Sequence, residues 1–183
     1  MKLFSLITCL LISSTLIAQE ISSTPTIPDD RRAKSIYLEA LGNGLTISLN
    51  YDTRFAKGRN DGLEARIGVG GLGLSGTDDQ GNNVTVGLVT IPIMLNYIVG
   101  NRRSGLELGA GATILSVSSS ADVDGQVDDF VENGVGASGF FNVGYRAQPL
   151  RNGPIFRLTW TPAFNAAGFS PSWFGISLGY AFK

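Results

Sequence analysis

Seven ionisable residues fall in the small-residue phase of alternating segments: Glu39, Arg54, Glu64, Arg66, Glu107, Arg146 and Arg157. Such a set can pair internally, hold a polar substrate or line a gated conduit. Enclosed charges must be partnered, because an uncompensated buried ion is strongly destabilising. The simplest expectation is therefore an ionic plug. Glu107 would pair with Arg146, with Arg157 close by, and Glu64, Arg66 and Arg54 would group on the other side.

Little else in the chain offers reaction chemistry. Its 183 residues include no histidine, which removes Ser-His-Asp and Cys-His catalysis, imidazole metal sites and the usual neutral-pH proton shuttle. Gly68-Val-Gly-Gly-Leu-Gly73 has the spacing of a dinucleotide loop, but no helix or Lys-Ser/Thr follows it. Asp122-Val-Asp124-Gly125 begins like a calcium loop and lacks the third ligand and the closing Glu. No catalytic residue, metal site or cofactor is expected, and the chain does not read as an enzyme. A net charge of −1 provides no overall basic field for nucleic acid.

The elements that would position these charges are strands. Lys2, the apolar run Leu3 to Ile17 and the small Ala18 read as a signal peptide over residues 1–18. The single cysteine, Cys9, lies inside that run. Residues 19–34 are rich in Ser, Thr, Pro and charge and read as a flexible leader. From 35 to 183 no apolar run is long enough for a spanning helix. A membrane could be crossed there only by a closed barrel, since an open sheet would leave backbone groups unpaired in hydrocarbon.

Alternation with period two divides residues 35–183 into eight strands. The first, Ser35 to Leu41, is followed by Gly42-Asn43-Gly44, an Asn-Gly hairpin signal. The later strands centre on Leu45–Tyr51, Leu63–Gly70, Val84–Val99, Leu106–Ile114, Val135–Arg146 and Phe156–Thr161. The last is Phe174–Phe182, with Phe174, Ile176, Leu178, Tyr180 and Phe182 on one face and Gly175, Ser177, Gly179 and Ala181 on the other. Ser75–Asn83, Ser116–Asn133 and Asn165–Ser172 read as loops on one side. Ala56–Gly62, Gly100–Gly105 and Gln148–Gly153 read as short periplasmic turns. Pro92 lacks an amide donor and should leave a bulge or a missing ladder bond. The alternative, one kinked strand over 35–55, would give seven strands.

The fold class expected is all-β: an eight-stranded antiparallel transmembrane up-and-down β-barrel. The non-apolar face is Gly, Ser, Thr, Asn and Ala with scarcely any lysine, which protects a soluble sheet poorly. Turned inward, those residues fit a narrow lumen. Tyr97, Tyr145, Trp160, Trp173 and Tyr180 would then stand as aromatic girdles facing lipid.

The closing segment, with Gly175 and Gly179 and the near-terminal Phe182, resembles the last strand of small bacterial outer-membrane β-barrel proteins of the porin-like and OmpA-like kind. Asn43-Gly44 through Tyr51, Ile91-Pro92, Leu106-Glu107-Leu108-Gly109 and Gly144-Tyr145-Arg146 are similar to recurring pieces of that family. One departure is that Lys183 follows the aromatic. The resemblance implies an outer-membrane location, contact with outer-membrane lipid and lipopolysaccharide, and recognition of the closing strand by the barrel-assembly machinery. The expected function is a largely plugged, monomeric barrel with a structural or surface-interaction role through its extracellular loops. A narrow transport or ligand-binding barrel is the alternative.

Overall fold

The computed structural model describes residues 30–77, 83–100, 103–123, 126–128 and 134–183. The signal-peptide expectation, most of the leader, Asp78–Asp79 and the Asp124-Gly125 part of the calcium-like segment lie outside the described residues. The strands are β1 (Arg32–Leu41), β2 (Ile47–Lys57), β3 (Gly62–Thr77), β4 (Asn83–Val99), β5 (Ser104–Val123) and β6 (Gln126–Asp128). They continue as β7 (Gly134–Ala147), β8 (Gly153–Trp160), β9 (Ala163–Asn165), β10 (Gly168–Ser170) and β11 (Phe174–Phe182). β1 begins at Arg32, so the expected leader boundary at Lys34 falls inside a strand.

Eight of these strands close into a ring of antiparallel neighbours: β1, β2, β3, β4, β5, β7, β8 and β11. The seam runs from Lys34 opposite Phe182 to Leu41 opposite Gly175. β1 and β2 form their own ladder from Lys34–Thr53 to Ala40–Ile47, which excludes the single kinked strand. Closure pairs each ring strand on both sides and leaves no sheet edge at the seam.

Side chains sort by phase as period two demands. Leu38, Leu49, Ile67, Ile93 and Leu178 stand exposed on the outside, Leu178 at 64%. Ser48, Asn50, Thr113, Asn142 and Ser177 are buried inside. The inversion of the soluble pattern holds where all eight strands run side by side, and a sheet in water could not sustain it.

β3, β4 and β5 run well past their neighbours, because β2 stops pairing at Gly71 while β3 continues to Thr77. Residues expected to be loop, Ser75–Thr77 and Ser116–Val123, are therefore strand. In this extension the phase reverses. Leu72, Leu74, Val86 and Val117 continue the lumen face, whereas Ser75, Thr85, Ser116 and Ser118 continue the outer face. A run of serines looks like loop, yet it suits an outer face that has risen above an apolar surround.

Pro92 interrupts one ladder only. The β3–β4 pairing lapses between Ile67–Ile93 and Gly70–Thr90 and resumes in the same register. On the other side Pro92 pairs with Thr113 without a break. The missing amide therefore costs ladder bonds on the β3 side and creates no bulge.

Candidate functional site: the ionic lumen

Among the described residues, four arginines and four carboxylates are buried in the lumen: Arg54, Arg66, Arg146 and Arg157 with Glu39, Asp52, Glu64 and Glu107. The sequence-derived set of seven lacks Asp52 and carries one excess positive charge. Asp52 shares the phase of Ser48, Asn50 and Arg54, so parity alone identifies it. Its carboxylate brings the buried charge to zero, which matters because any uncompensated ion in this interior is expensive.

The pairing differs in detail from the expected one. Glu107 is gripped by Arg157, whose Nε donates to Oε2 at 3.0 Å and whose Nη2 donates to Oε1. Arg146 does pair with Glu107, as expected, but at 3.5 Å. It donates instead to Glu64 at 2.9 Å, Asp52 at 2.9 Å and the Ser35 hydroxyl at 2.7 Å. The reason lies in register: Arg146 and Arg157 are direct cross-strand partners, and like charges opposite one another repel. Dividing the carboxylates between them relieves that contact.

Arg54 pairs with Glu64, while Arg66 leaves the expected Glu64 group and pairs with Glu39. The Arg66 guanidinium also donates to Asn50 Oδ1 at 2.9 and 3.0 Å. Between the two groups stands Tyr37, its ring 4.5 Å from the Arg157 guanidinium carbon and 5.4 Å from that of Arg66. Tyr37 is 1% exposed and acts as a partition whose π face accepts both cations. Aromaticity in the inward phase was the available signal for it.

Glu107→Gln should lower the heat resistance of the folded band on a cold-loaded gel. Arg157 would lose its charged partner but keep the Tyr37 face, so a loss of about 1–3 kcal/mol is expected. Unchanged heat resistance would count against the Glu107–Arg157 grip.

Turn residues join the network at both ends. Gly42–Gly44 does not make a two-residue hairpin turn; it forms a buried 3-10 turn. Thr113 donates to the Asn43 carbonyl at 2.6 Å, Thr90 to the Gly44 carbonyl at 2.8 Å, and Arg66 to Asn43 Oδ1 at 3.2 Å. These lumen donors capture the turn and draw it inward. The bend places Leu41 and Leu45 at φ 60° and 68°, a conformation that branched side chains adopt at a cost.

At the opposite end Arg54 donates to the Asn60 carbonyl at 3.1 Å and to Gln148 Oε1 at 3.1 Å. Gln148 also donates to the Asn60 carbonyl at 3.0 Å. Two turns are thereby tied together across the lumen. Nearby, Arg59 grips Asp61 through two 2.8 Å hydrogen bonds, which hold that carboxyl below the usual carboxylate range. The cavity between Ser35, Asp52, Arg54 and Arg146 measures about 10 Å³, space for roughly one water.

The five aromatics divide by end. Tyr97, Tyr145 and Tyr180 are exposed on the outside beside the short turns, opposite Leu63, Leu106 and Pro154 respectively. Trp160 and Trp173 lie at the other end. Trp160 is exposed and its indole donates to the Pro171 carbonyl at 2.5 Å. Trp173 is half-buried and donates to the Gly42 carbonyl at 2.7 Å, so it braces the inward turn. On β11, Phe174, Ile176, Leu178 and Tyr180 are exposed and Phe182 is half-buried.

A closed, up-and-down ring of eight antiparallel strands with apolar outside and ionic inside has the fold of a small outer-membrane β-barrel. Among solved structures, Ail, the attachment invasion locus protein of Yersinia pestis, in complex with the heparin analogue sucrose octasulfate, is similar to it. That comparison has a TM-score of 0.50 at 12% identity and covers 83% of this chain and 99% of Ail. A major outer membrane protein from Thermus thermophilus is similar at a TM-score of 0.48 and 15% identity, covering 82% of this chain and 98% of that one. No family model and no curated protein matches the chain.

Proposed function

We propose that this chain is an integral outer-membrane protein with a filled lumen and a structural or surface-interaction role exercised through its extracellular segments. The observation that carries this reading is the charge-balanced lumen, joined by the Gly42–Gly44 turn at one end and the Arg54–Gln148–Asn60 contacts at the other. Such packing supports a lumen without a continuous polar path for a solute. The even strand count puts both described ends beside the short turns, which become the periplasmic side, as is usual for such barrels.

The apolar outer belt, with tyrosines near one rim and tryptophans near the other, supports direct contact with membrane lipid and a monomeric barrel. Its closing strand is the segment the assembly machinery would read. Ail was solved with a heparin analogue, a polyanion, and the end opposite the short turns offers such a ligand no basic side chain here. The segments joining the strands at that end contain no Lys or Arg. Phosphate-rich lipopolysaccharide would meet this end through bridging cations rather than through basic side chains.

Planar-bilayer conductance on the refolded chain tests the reading. Silence is the expected result over the voltage range in which the bilayer itself is stable. Steady stepwise channels would refute the filled lumen and return the narrow-transport alternative.

A further inference from the structure

Outside the lumen, the charges are sorted by end. Arg31 precedes β1 and Arg32 and Lys34 lie within its first three residues, with Lys57 and Arg59 at the adjoining turn. Arg102 and Arg103 precede β5, Arg151 precedes β8, and Lys183 follows β11. Together with the four lumen arginines, these account for every Lys and Arg after residue 30. The segments at the far end hold two carboxylates in 78–82 and five in 122–133, with no basic residue. The net charge of −1 therefore conceals a strong polarity.

Among the described residues two acids lie at the basic rim, Asp30 at 3.1 Å from Lys57 and Asp61 paired with Arg59, and the basic residues outnumber them. Its charges are distributed among the ends of β1, β2, β5, β8 and β11 instead of forming one patch. The described ones stand just past Tyr97, Tyr145 and Tyr180, where the apolar outer belt ends.

We propose that this rim is a collar that binds the phosphate headgroups of anionic phospholipids in the adjoining leaflet. The proposal rests on the membrane reading above. Depth and distribution select the occupant. Headgroups are present at that depth all round a barrel, and many small anions match charges spread over the perimeter. A single folded partner would need them gathered on one side. Each Lys or Arg near an anionic surface attracts it, and salt screens the attraction.

The test uses the full-length mature chain refolded in phosphatidylcholine vesicles with trace spin-labelled phosphatidylglycerol or phosphatidylcholine. Electron paramagnetic resonance reads the relative association of the two lipids with the protein. Phosphatidylglycerol should be preferred about threefold or more at low salt. The preference should collapse in about 1 M NaCl and in the R32Q/K34Q/R151Q/K183Q variant. Equal association of the two lipids with folded protein at low salt would overturn the collar. So would a preference undiminished in the variant, because the anionic site would then lie elsewhere. Cosedimentation with purified peptidoglycan in the absence of lipid selectivity would also overturn it and identify the polymer as occupant. Failure to form a heat-resistant band in phosphatidylcholine would strike the membrane reading instead. The wild-type salt titration tests the collar even if the variant does not fold.

Discussion

Glu64→Gln should lower the urea midpoint for unfolding from lipid vesicles by the equivalent of about 3–5 kcal/mol, the cost typical of breaking a buried ion network. Glu64 is the node of this lumen. It pairs with Arg54, accepts from Arg146 at 2.9 Å and accepts from Asn96 Nδ2 at 3.1 Å. The amide has nearly the same shape, so packing is preserved while two guanidiniums lose their shared charge. Its new N–H groups would also face donors. A Glu64→Gln, Arg54→Gln double variant should recover part of the loss, because the removed charges cancel. Midpoints unchanged from wild type in the single variant would show that the lumen is hydrated enough to screen its ions.

Gly179→Ala should reduce the yield of heat-resistant folded protein and destabilise what folds by about 1–3 kcal/mol, as overpacking does. Gly179 pairs with Tyr37 across the closing seam. A Cβ there would fall on the Ile36 carbonyl oxygen and the Tyr37 backbone. Those atoms belong to the β1 ladder and cannot swing aside as a side-chain tip could. Either the seam opens or Tyr37 leaves its place beside Arg66 and Arg157. Gly73→Ala and Gly76→Ala are the controls, since no heavy atom lies within 4 Å of the added carbon at either site. Equal folding yields for all three variants would mean that the seam has slack.

The strand count, the seam and the membership of most of the lumen were legible from period two alone. A closed wall forces each side chain to one of two environments, so phase is enough. The extension of β3, β4 and β5 was less legible because its polarity reverses: Leu72 and Leu74 belong to the lumen phase and Ser116 and Ser118 to the outer phase. A reading that holds one polarity throughout ends these strands early. The inward turn at Gly42–Gly44 was misleading for a related reason. Asn-Gly favours a tight hairpin locally, but Thr90, Thr113 and Arg66 outweigh that preference by taking its carbonyls and its Asn43 side chain.

Residue order and alternation were thus enough for the barrel, for the face that meets each surround, and for the polarity of charge from rim to rim. Which arginine holds which carboxylate was settled only when the strands came together. Register placed Arg146 opposite Arg157, brought Glu64 between Arg54 and Arg146, and let Arg66 reach Glu39 past the Tyr37 ring. Long side chains converging from different strands can satisfy several pairings of the same composition. Their choice is set by distances across the lumen, which do not exist until the wall has closed.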